Sequence, residues 1–179
     1  RTPYRQLLLR ERASPVQVVS GTREIVSWTL AALLQYFGDM VPSMEEARDL
    51  LEERFWETST AGLGWFDHQY FCGLDVYATP FPHTEGAVRI SHAPLDLFIY
   101  RQEDLPHLSP ALASYLRIPE FSLGHANVGG EKKYAGLYGE IVERFRLPGN
   151  LLARLYDAPM MRHFYSDNER EVAYQRWVG

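Results

Sequence analysis

The segment Val16-Gln17-Val18-Val19-Ser20-Gly21-Thr22-Arg23-Glu24 decides the fold class. Its first five residues form a short, β-branched apolar run between a proline and a glycine, which predicts a buried strand. Residues 21–24 are typical of a tight turn, and the apolar residues that follow predict a largely buried helix over residues 24–37. Strand, glycine turn and buried helix make half of a βαβ unit, which indicates an α/β protein.

A second strand is predicted over Asp96–Arg101, where apolar residues dominate. We expect this strand and Val16–Ser20 to share a parallel sheet, flanked by helices in a three-layered α/β arrangement. Shorter extended pieces are expected near Asp75–Tyr77 and Val88–Ser91. Because no internal repeat or interdomain linker interrupts the chain, residues 1–179 are expected to form a single domain.

Local signals predict several further helices. Ser109-Pro110 opens a short helix, because proline in the first turn loses no backbone hydrogen bond. Apolar residues repeat at helical spacing over residues 134–145 and predict an amphipathic helix, and a shorter helix is expected around residues 151–156. Two reciprocal capping boxes are predicted at helix starts, within Ser43–Glu46 and Ser166–Glu169.

Composition limits the functional classes. The chain has 179 residues, of which 46% are hydrophobic and 23% charged, so it can bury a core and is not mainly disordered. Its net charge of −5 argues against a nucleic-acid partner, which would need a basic surface. No apolar run approaches the roughly 20 residues of a transmembrane segment. With the single cysteine Cys72 and no recognisable export signal, the expected location is cytoplasmic.

Two positions are suited to binding an anion. Arg23 lies at the predicted start of a helix, where free N–H groups and the helix dipole attract phosphate, although pairing with a carboxylate is the structural alternative. The loop Asn127–Tyr134 contains two glycines and the only lysines of the chain, Lys132 and Lys133. Two cations at a helix N-terminus are unfavourable unless an anion binds there, but a solvated lysine pair is also consistent with the sequence.

The histidines give no metal-binding pattern. None of the six has HExxH or HxxxH spacing, so no zinc site is expected. His68 follows Trp65 and Asp67 in an aromatic stretch that could border a cleft, or it is a structural histidine. Serine hydrolase and P-loop kinase chemistry are disfavoured, because the sequence has neither GxSxG nor GxxxxGK[ST].

Five segments, taken in order, resemble the sulfotransferase-like family labelled putative capsular polysaccharide synthesis proteins, from about residue 16 to the C-terminus. The resemblance implies a P-loop-NTPase-like sulfotransferase fold with a central parallel sheet. It also implies transfer of a sulfuryl group from 3′-phosphoadenosine 5′-phosphosulfate (PAPS) to a carbohydrate hydroxyl in polysaccharide synthesis. The segments are Val18–Glu24, Trp65–Asp67 with Gly73–Tyr77, Leu97–Leu105, Asn127–Tyr134 and His163–Ser166.

The resemblance assigns a role to each candidate residue. Arg23 is expected to bind the 3′-phosphate of PAPS, with Ser27 as a nearby hydroxyl. A carbohydrate acceptor is the expected partner, and no metal is expected, because positioned cations and N–H groups can stabilise sulfuryl transfer. The remaining candidates are Asn127, Lys132, Lys133 and Tyr134 for the nucleotide, Trp65 and Asp67 for the acceptor, and His68 as catalytic base.

Two departures from the family pattern leave a second hypothesis open. The loop that binds the 5′-phosphosulfate should precede residue 1 and is missing from this sequence. Ala31 stands where the segment that binds the 3′-phosphate usually has a serine, and loss of that hydrogen bond would cost about 1–3 kcal/mol. The alternative is therefore a degenerate, non-catalytic relative that binds a glycan or protein partner.

Overall fold

The computed structural model describes residues 15–38, 43–67, 74–93, 95–123 and 135–179. The chain divides into two compact units: a sheet unit of residues 1–23 and 66–123, and a helical unit of residues 24–65 and 124–179. The helices and strands, in chain order, are β1 (Val16–Thr22), α1 (Ile25–Phe37), α2 (Met44–Leu63), β2 (Ala87–His92), β3 (Leu95–Arg101), α3 (Ser109–Leu116), α4 (Ala135–Arg144), α5 (Gly149–Tyr156), α6 (Pro159–Phe164) and α7 (Asp167–Trp177).

A three-stranded mixed sheet, in the order β1–β3–β2, forms the sheet unit. β1 and β3 run parallel, from Val16 opposite Leu95 to Thr22 opposite Arg101, which confirms the expected parallel pair. β2 runs antiparallel to β3, so the expectation of a wholly parallel sheet is wrong. The reason is the connection: only two residues separate the two strands, and a parallel pair needs a long crossover.

β1 is longer than predicted, because Gly21 and Thr22 belong to the strand and not to a turn. Gly21 pairs with Tyr100 across the sheet. A Cβ atom on Gly21 would lie 2.9 Å from Cζ of the Tyr100 ring, which is too close. The glycine therefore permits a close approach within the sheet, and the chain turns only at Arg23 and Glu24.

The extended piece expected near Asp75–Tyr77 is also wrong. Residues Val76–Ala78 form a 3₁₀ turn. The Asp75 carboxylate accepts the backbone N–H of Tyr77 at 3.0 Å and so caps this turn. A second 3₁₀ segment, Gln102–His107, follows β3 directly.

Helix α3 covers β3 in the sheet unit. Phe98 of the strand and Leu108, Leu112 and Tyr115 of the helix region form a buried cluster. The Phe98 and Tyr115 rings lie 5.2 Å apart between centroids. The predicted start of this helix at Ser109-Pro110 is confirmed, and its proline lies in the first turn.

In the helical unit, α1 packs closely on α2. A Cβ atom on Gly62 would lie 2.6 Å from the Trp28 ring, and the buried hydroxyls of Thr29 and Ser59 approach to 3.0 Å. The predicted helix over residues 24–37 is confirmed, but it is less buried than expected, since the Tyr36 side chain is 79% exposed.

Helix ends follow their local sequence signals, with two differences. The Ser166–Glu169 capping box is reciprocal, as predicted. At α2, the Ser43 hydroxyl accepts the Glu46 N–H at 3.3 Å, but the Ser43 N–H does not donate to the Glu46 carboxylate in return. Helix α6 was not predicted, although a proline at its first position marks its start. Among the described residues, no helix combines the length and the apolar character needed to cross a membrane.

Candidate functional site

Arg23 lies directly after the carboxyl end of β1. The last residue of β1, Thr22, pairs with Arg101 at the end of β3, so two parallel strands end side by side. Arg23 is half-buried and takes part in an interaction in the free protein. Ligands of open α/β sheets bind outside the carboxyl ends of the strands, so Arg23 has the placement that phosphate binding would need.

The first amide groups of α1 are occupied by the chain itself. Both carboxylate oxygens of Glu24 take part: Oε1 accepts the Val26 N–H at 2.8 Å, and Oε2 accepts the Ser27 N–H at 2.8 Å. The Ser27 hydroxyl also donates to Oε2, at 2.6 Å. Free N–H groups were expected here for an anionic ligand, but the Glu24 carboxylate already accepts those of Val26 and Ser27.

A tyrosine that is distant in sequence also binds this carboxylate. The Tyr156 hydroxyl, at the end of α5, donates to Oε1 of Glu24 at 2.7 Å. Burial raises the pKa of Tyr156 well above its ordinary value, and the negative charge of Glu24 raises it further. The hydroxyl therefore stays protonated and remains a donor. No sequence signal pointed to this pair, because 132 residues separate its members.

The arginine that ends β3 has a structural role. Arg101 is buried, and its Nε donates to Oδ2 of Asp104 at 2.5 Å while its Nη2 donates to the His83 carbonyl at 2.8 Å. Its guanidinium also lies 5.8 Å from the centre of the Phe81 ring. This network holds residues 81–86 against the end of the strand.

The two described acceptor candidates lie in the turn after α2. Trp65 is 55% exposed and belongs to the helical unit, whereas the exposed Asp67 belongs to the sheet unit. In the sheet unit, burial raises the pKa of Tyr77 to about 12, with smaller contributions from the charges of Asp67 and Asp75. Asp67 therefore lies within electrostatic range of a buried phenol, and we expect that phenol to stay neutral.

Five candidate site residues lie outside the described residues, as does Cys72. They are His68, Asn127, Lys132, Lys133 and Tyr134. Of the residues predicted to bind PAPS, the structure thus describes Arg23 and Ser27. No group of three or more histidine, cysteine, aspartate or glutamate side chains suited to a metal ion occurs among the described residues.

The helical unit contains a groove that sequence analysis did not predict. Its volume is about 1010 Å³, at the upper end of the range of small-molecule sites. One face of α2 lines it over residues 44–56, together with the end of α4, residues 145–148 and the start of α5. Buried side chains at its base are Leu51, Phe55, Ile141 and Leu147.

Charged and aromatic side chains surround this apolar base. Trp56 is 41% exposed, and the guanidinium of Arg154 lies 4.2 Å from the centre of its indole ring. Phe55 and Phe145 pack at 5.6 Å between ring centroids. The charged residues that line the groove are Glu45, Arg48, Glu52, Arg144 and Arg146.

Comparison with known families identifies the family to which the chain belongs. A family model described as "Putative capsular polysaccharide synthesis protein" matches residues 39–166, which is most of the sequence. The chain belongs to this family. The matched region contains the acceptor candidates Trp65 and Asp67 and the groove-lining face of α2, and it begins after Arg23 and Ser27. No curated protein and no solved structure matches the chain.

Proposed function

We propose that this protein transfers a sulfuryl group from PAPS to a carbohydrate hydroxyl during capsular polysaccharide synthesis. Family membership supports the role in polysaccharide synthesis and a carbohydrate acceptor. The sulfuryl donor and the P-loop-like sulfotransferase fold rest on the resemblance of the sequence segments. The observation that carries the proposal is the position of Arg23, at the carboxyl end of a strand that pairs parallel to its neighbour.

Arg23 is the residue with which the donor site can be tested. A guanidinium fork can donate two parallel hydrogen bonds to a phosphate, and each charge-assisted bond contributes about 1.5–3 kcal/mol. Because Arg23 already takes part in an interaction, the 3′-phosphate would join or replace that contact. Ser27 is less available, because its hydroxyl proton is donated to Glu24. Asn127, Lys132, Lys133 and Tyr134 remain the candidates for closing over the nucleotide.

The reaction needs an acceptor site and a base. When bound, PAPS supplies the sulfuryl group, and the bond from sulfur to the phosphate oxygen breaks as the bond from sulfur to the acceptor oxygen forms. In this proposal Trp65 and Asp67 hold the sugar, and His68 takes the proton of the attacking hydroxyl. Holding the two reactants in line lowers the barrier, because it removes the entropic cost of bringing them together.

A second candidate function is carbohydrate binding without catalysis. Two observations favour it: Glu24 fills the amide groups at the start of α1, and Ala31 replaces the usual serine. Both reduce the number of donors that a phosphate could use. A degenerate relative of this kind would bind a glycan and would show no affinity for the nucleotide.

Calorimetric titration with 3′-phosphoadenosine 5′-phosphate, the product nucleotide, separates the two functions. We expect wild-type protein to bind, and Arg23→Ala to weaken binding tenfold or more, since about 1.4 kcal/mol corresponds to a factor of ten. Arg54→Ala is the matched control, because Arg54 is a half-exposed arginine on α2 that pairs with Glu53 and Glu57. Absence of binding by the wild type would exclude the transferase and favour the non-catalytic function.

A further inference from the structure

We propose that the groove of the helical unit binds a short stretch of acidic polysaccharide. The assigned residues that the structure describes, Arg23, Ser27, Trp65 and Asp67, do not line this groove, so we propose it as an additional carbohydrate site. The inference rests on family membership, and it does not require PAPS to be the donor.

The dimensions of the groove suit an extended ligand. Helix α2 lines the groove with residues that all lie on one of its faces: Met44, Glu45, Arg48, Leu51, Glu52, Phe55 and Trp56. At 1.5 Å per residue, this face extends for about 18 Å, which exceeds the length of a single sugar ring. A volume of about 1010 Å³ likewise accommodates several linked sugar units.

Trp56 provides a surface on which a sugar ring can stack. Sugar rings present a face of C–H groups that packs on aromatic rings, and indole offers the largest such surface in proteins. Arg154 lies 4.2 Å from the centre of this ring, so the guanidinium holds the indole in place before any ligand binds. An indole that is 41% exposed and already oriented loses little conformational freedom on binding.

The charges around the groove select for an acidic sugar. Three arginines and two glutamates line it. Arg48 pairs with Glu52 at 3.0 Å and Arg144 pairs with Glu140 at 3.0 Å, but all four side chains are at least 40% exposed, so these pairs contribute little and can be exchanged.

Arg146 is the arginine best placed to bind an acidic group. Its Nη1 donates to the neighbouring Phe145 carbonyl at 2.7 Å, and within the described part of the chain it has no carboxylate partner. Guanidinium groups bind carboxylates and sulfates in a two-pronged geometry, so Arg146 fits the acidic substituent of a charged polysaccharide.

The test uses hexasaccharides of three uronate polymers, hyaluronan, alginate and polygalacturonate, with the neutral chitin hexasaccharide for comparison. Binding is measured by calorimetry at low and at moderate salt. We expect wild-type protein to bind at least one uronate hexasaccharide, more weakly at higher salt, and to bind the neutral one at least fivefold more weakly. Trp56→Ala should weaken binding tenfold or more, and Arg146→Gln should weaken it about fivefold for the uronate ligand only.

Tyr36→Ala is the matched control, because it removes an aromatic ring of the helical unit that is 79% exposed and does not line the groove. Its affinity should equal that of the wild type. Binding to none of the uronate hexasaccharides, equal affinity for the neutral ligand, or equal losses in Trp56→Ala and Tyr36→Ala would each overturn the proposal. Titration of the same preparations with 3′-phosphoadenosine 5′-phosphate reports the donor site separately, so failure of the groove and failure of the sulfotransferase proposal are distinguishable.

Discussion

The Tyr156 hydroxyl donates a hydrogen bond of 2.7 Å to Oε1 of Glu24 and thereby ties the end of α5 to the start of α1. The same carboxylate also caps α1, because it accepts the N–H groups of Val26 and Ser27. An interaction that satisfies a helix start and a buried phenol together should matter more for stability than a single surface hydrogen bond.

We expect Tyr156→Phe to lower the free energy of unfolding by about 1–2 kcal/mol, because it removes one hydrogen bond to a charged group and keeps the ring packing. Urea unfolding monitored by circular dichroism measures this change. Tyr36→Phe is the control, since the ring of Tyr36 is 79% exposed. Equal stability of the two variants would contradict a structural role for the Tyr156 hydroxyl.

The sequence was most informative where structure depends on neighbouring residues. The strand around Val16–Ser20, the proline start of α3 and the Ser166–Glu169 capping box were all predictable as elements, because each is determined within a few residues. The expected burial of the strand was wrong, since Val19 is 42% exposed. The α/β class and the parallel pairing of β1 with β3 followed from the same signals together with general rules of chain topology.

Other features depend on contacts that a single sequence does not reveal. The sequence predicts a turn at Gly21, because a glycine before a helix is typical of one. Its actual role, to let the Tyr100 ring approach the strand, depends on a contact that the sequence does not show. The groove was not predicted, because it lies between α2 on one side and α4 and α5 on the other. These helices are far apart in the sequence. Glu24 was not recognised as the group that satisfies the start of α1, because glutamate is not among the preferred N-cap residues serine, threonine, aspartate and asparagine.

Gly86 gives a prediction about the sheet unit. Its φ is +69°, in the left-handed region, and a Cβ atom there would collide with the carboxylate of Asp104. That carboxylate holds the buried guanidinium of Arg101, whose backbone N–H also donates to the Gly86 carbonyl at 2.9 Å. We expect Gly86→Ala to destabilise the protein by about 2–3 kcal/mol, because backbone strain adds to disruption of the ion pair.

Gly136→Ala is a matched control for this substitution. Gly136 lies in α4, and among the described residues a Cβ atom there would meet no atom within 4 Å beyond the backbone of its own helix. Alanine should therefore be neutral or stabilise the helix by about 0.5–1 kcal/mol, as helix propensity predicts. Thermal unfolding of both variants would test the pair, and a Gly86→Ala variant as stable as Gly136→Ala would disagree with the structure.

Tyr115 links the two parallel strands through its hydroxyl. This oxygen accepts the Val18 N–H of β1 at 3.1 Å, and it also contacts the backbone carbonyl of Asp96 in β3. Tyr115→Phe leaves a backbone N–H of β1 without this partner, so we expect a loss of about 1–3 kcal/mol.

Hydrogen exchange measured by mass spectrometry would locate the effect of Tyr115→Phe. Faster exchange in peptides that cover β1, with unchanged exchange in α7 of the helical unit, is the expected result. Uniformly faster exchange across both regions would indicate global destabilisation and would count against a local link between the strands.

The carboxylate of Asp96 makes the stability of the sheet unit depend on pH. It accepts Nε and Nη2 of Arg89, at 2.8 and 2.7 Å, and the Ser91 hydroxyl at 2.8 Å. These bonds, led by the one from Arg89, lower the pKa of Asp96 below its ordinary value of 3.8, against the opposing effect of burial. The folded state therefore favours the ionised carboxylate more strongly than the unfolded state does.

This stabilisation is fully present above the unfolded-state pKa and is lost as pH falls through the lower folded-state pKa. We expect Asp96→Asn to be less stable than the wild type at pH 7, with the same difference at pH 5.5. Below about pH 4 the difference should shrink, because the wild type then loses stability that the asparagine variant never had. Urea unfolding across this range measures the difference, with Asp49→Asn on the exposed face of α2 as control. A difference that stays constant down to pH 2.5 would show that the Arg89 and Ser91 bonds do not favour the ionised carboxylate in the folded protein.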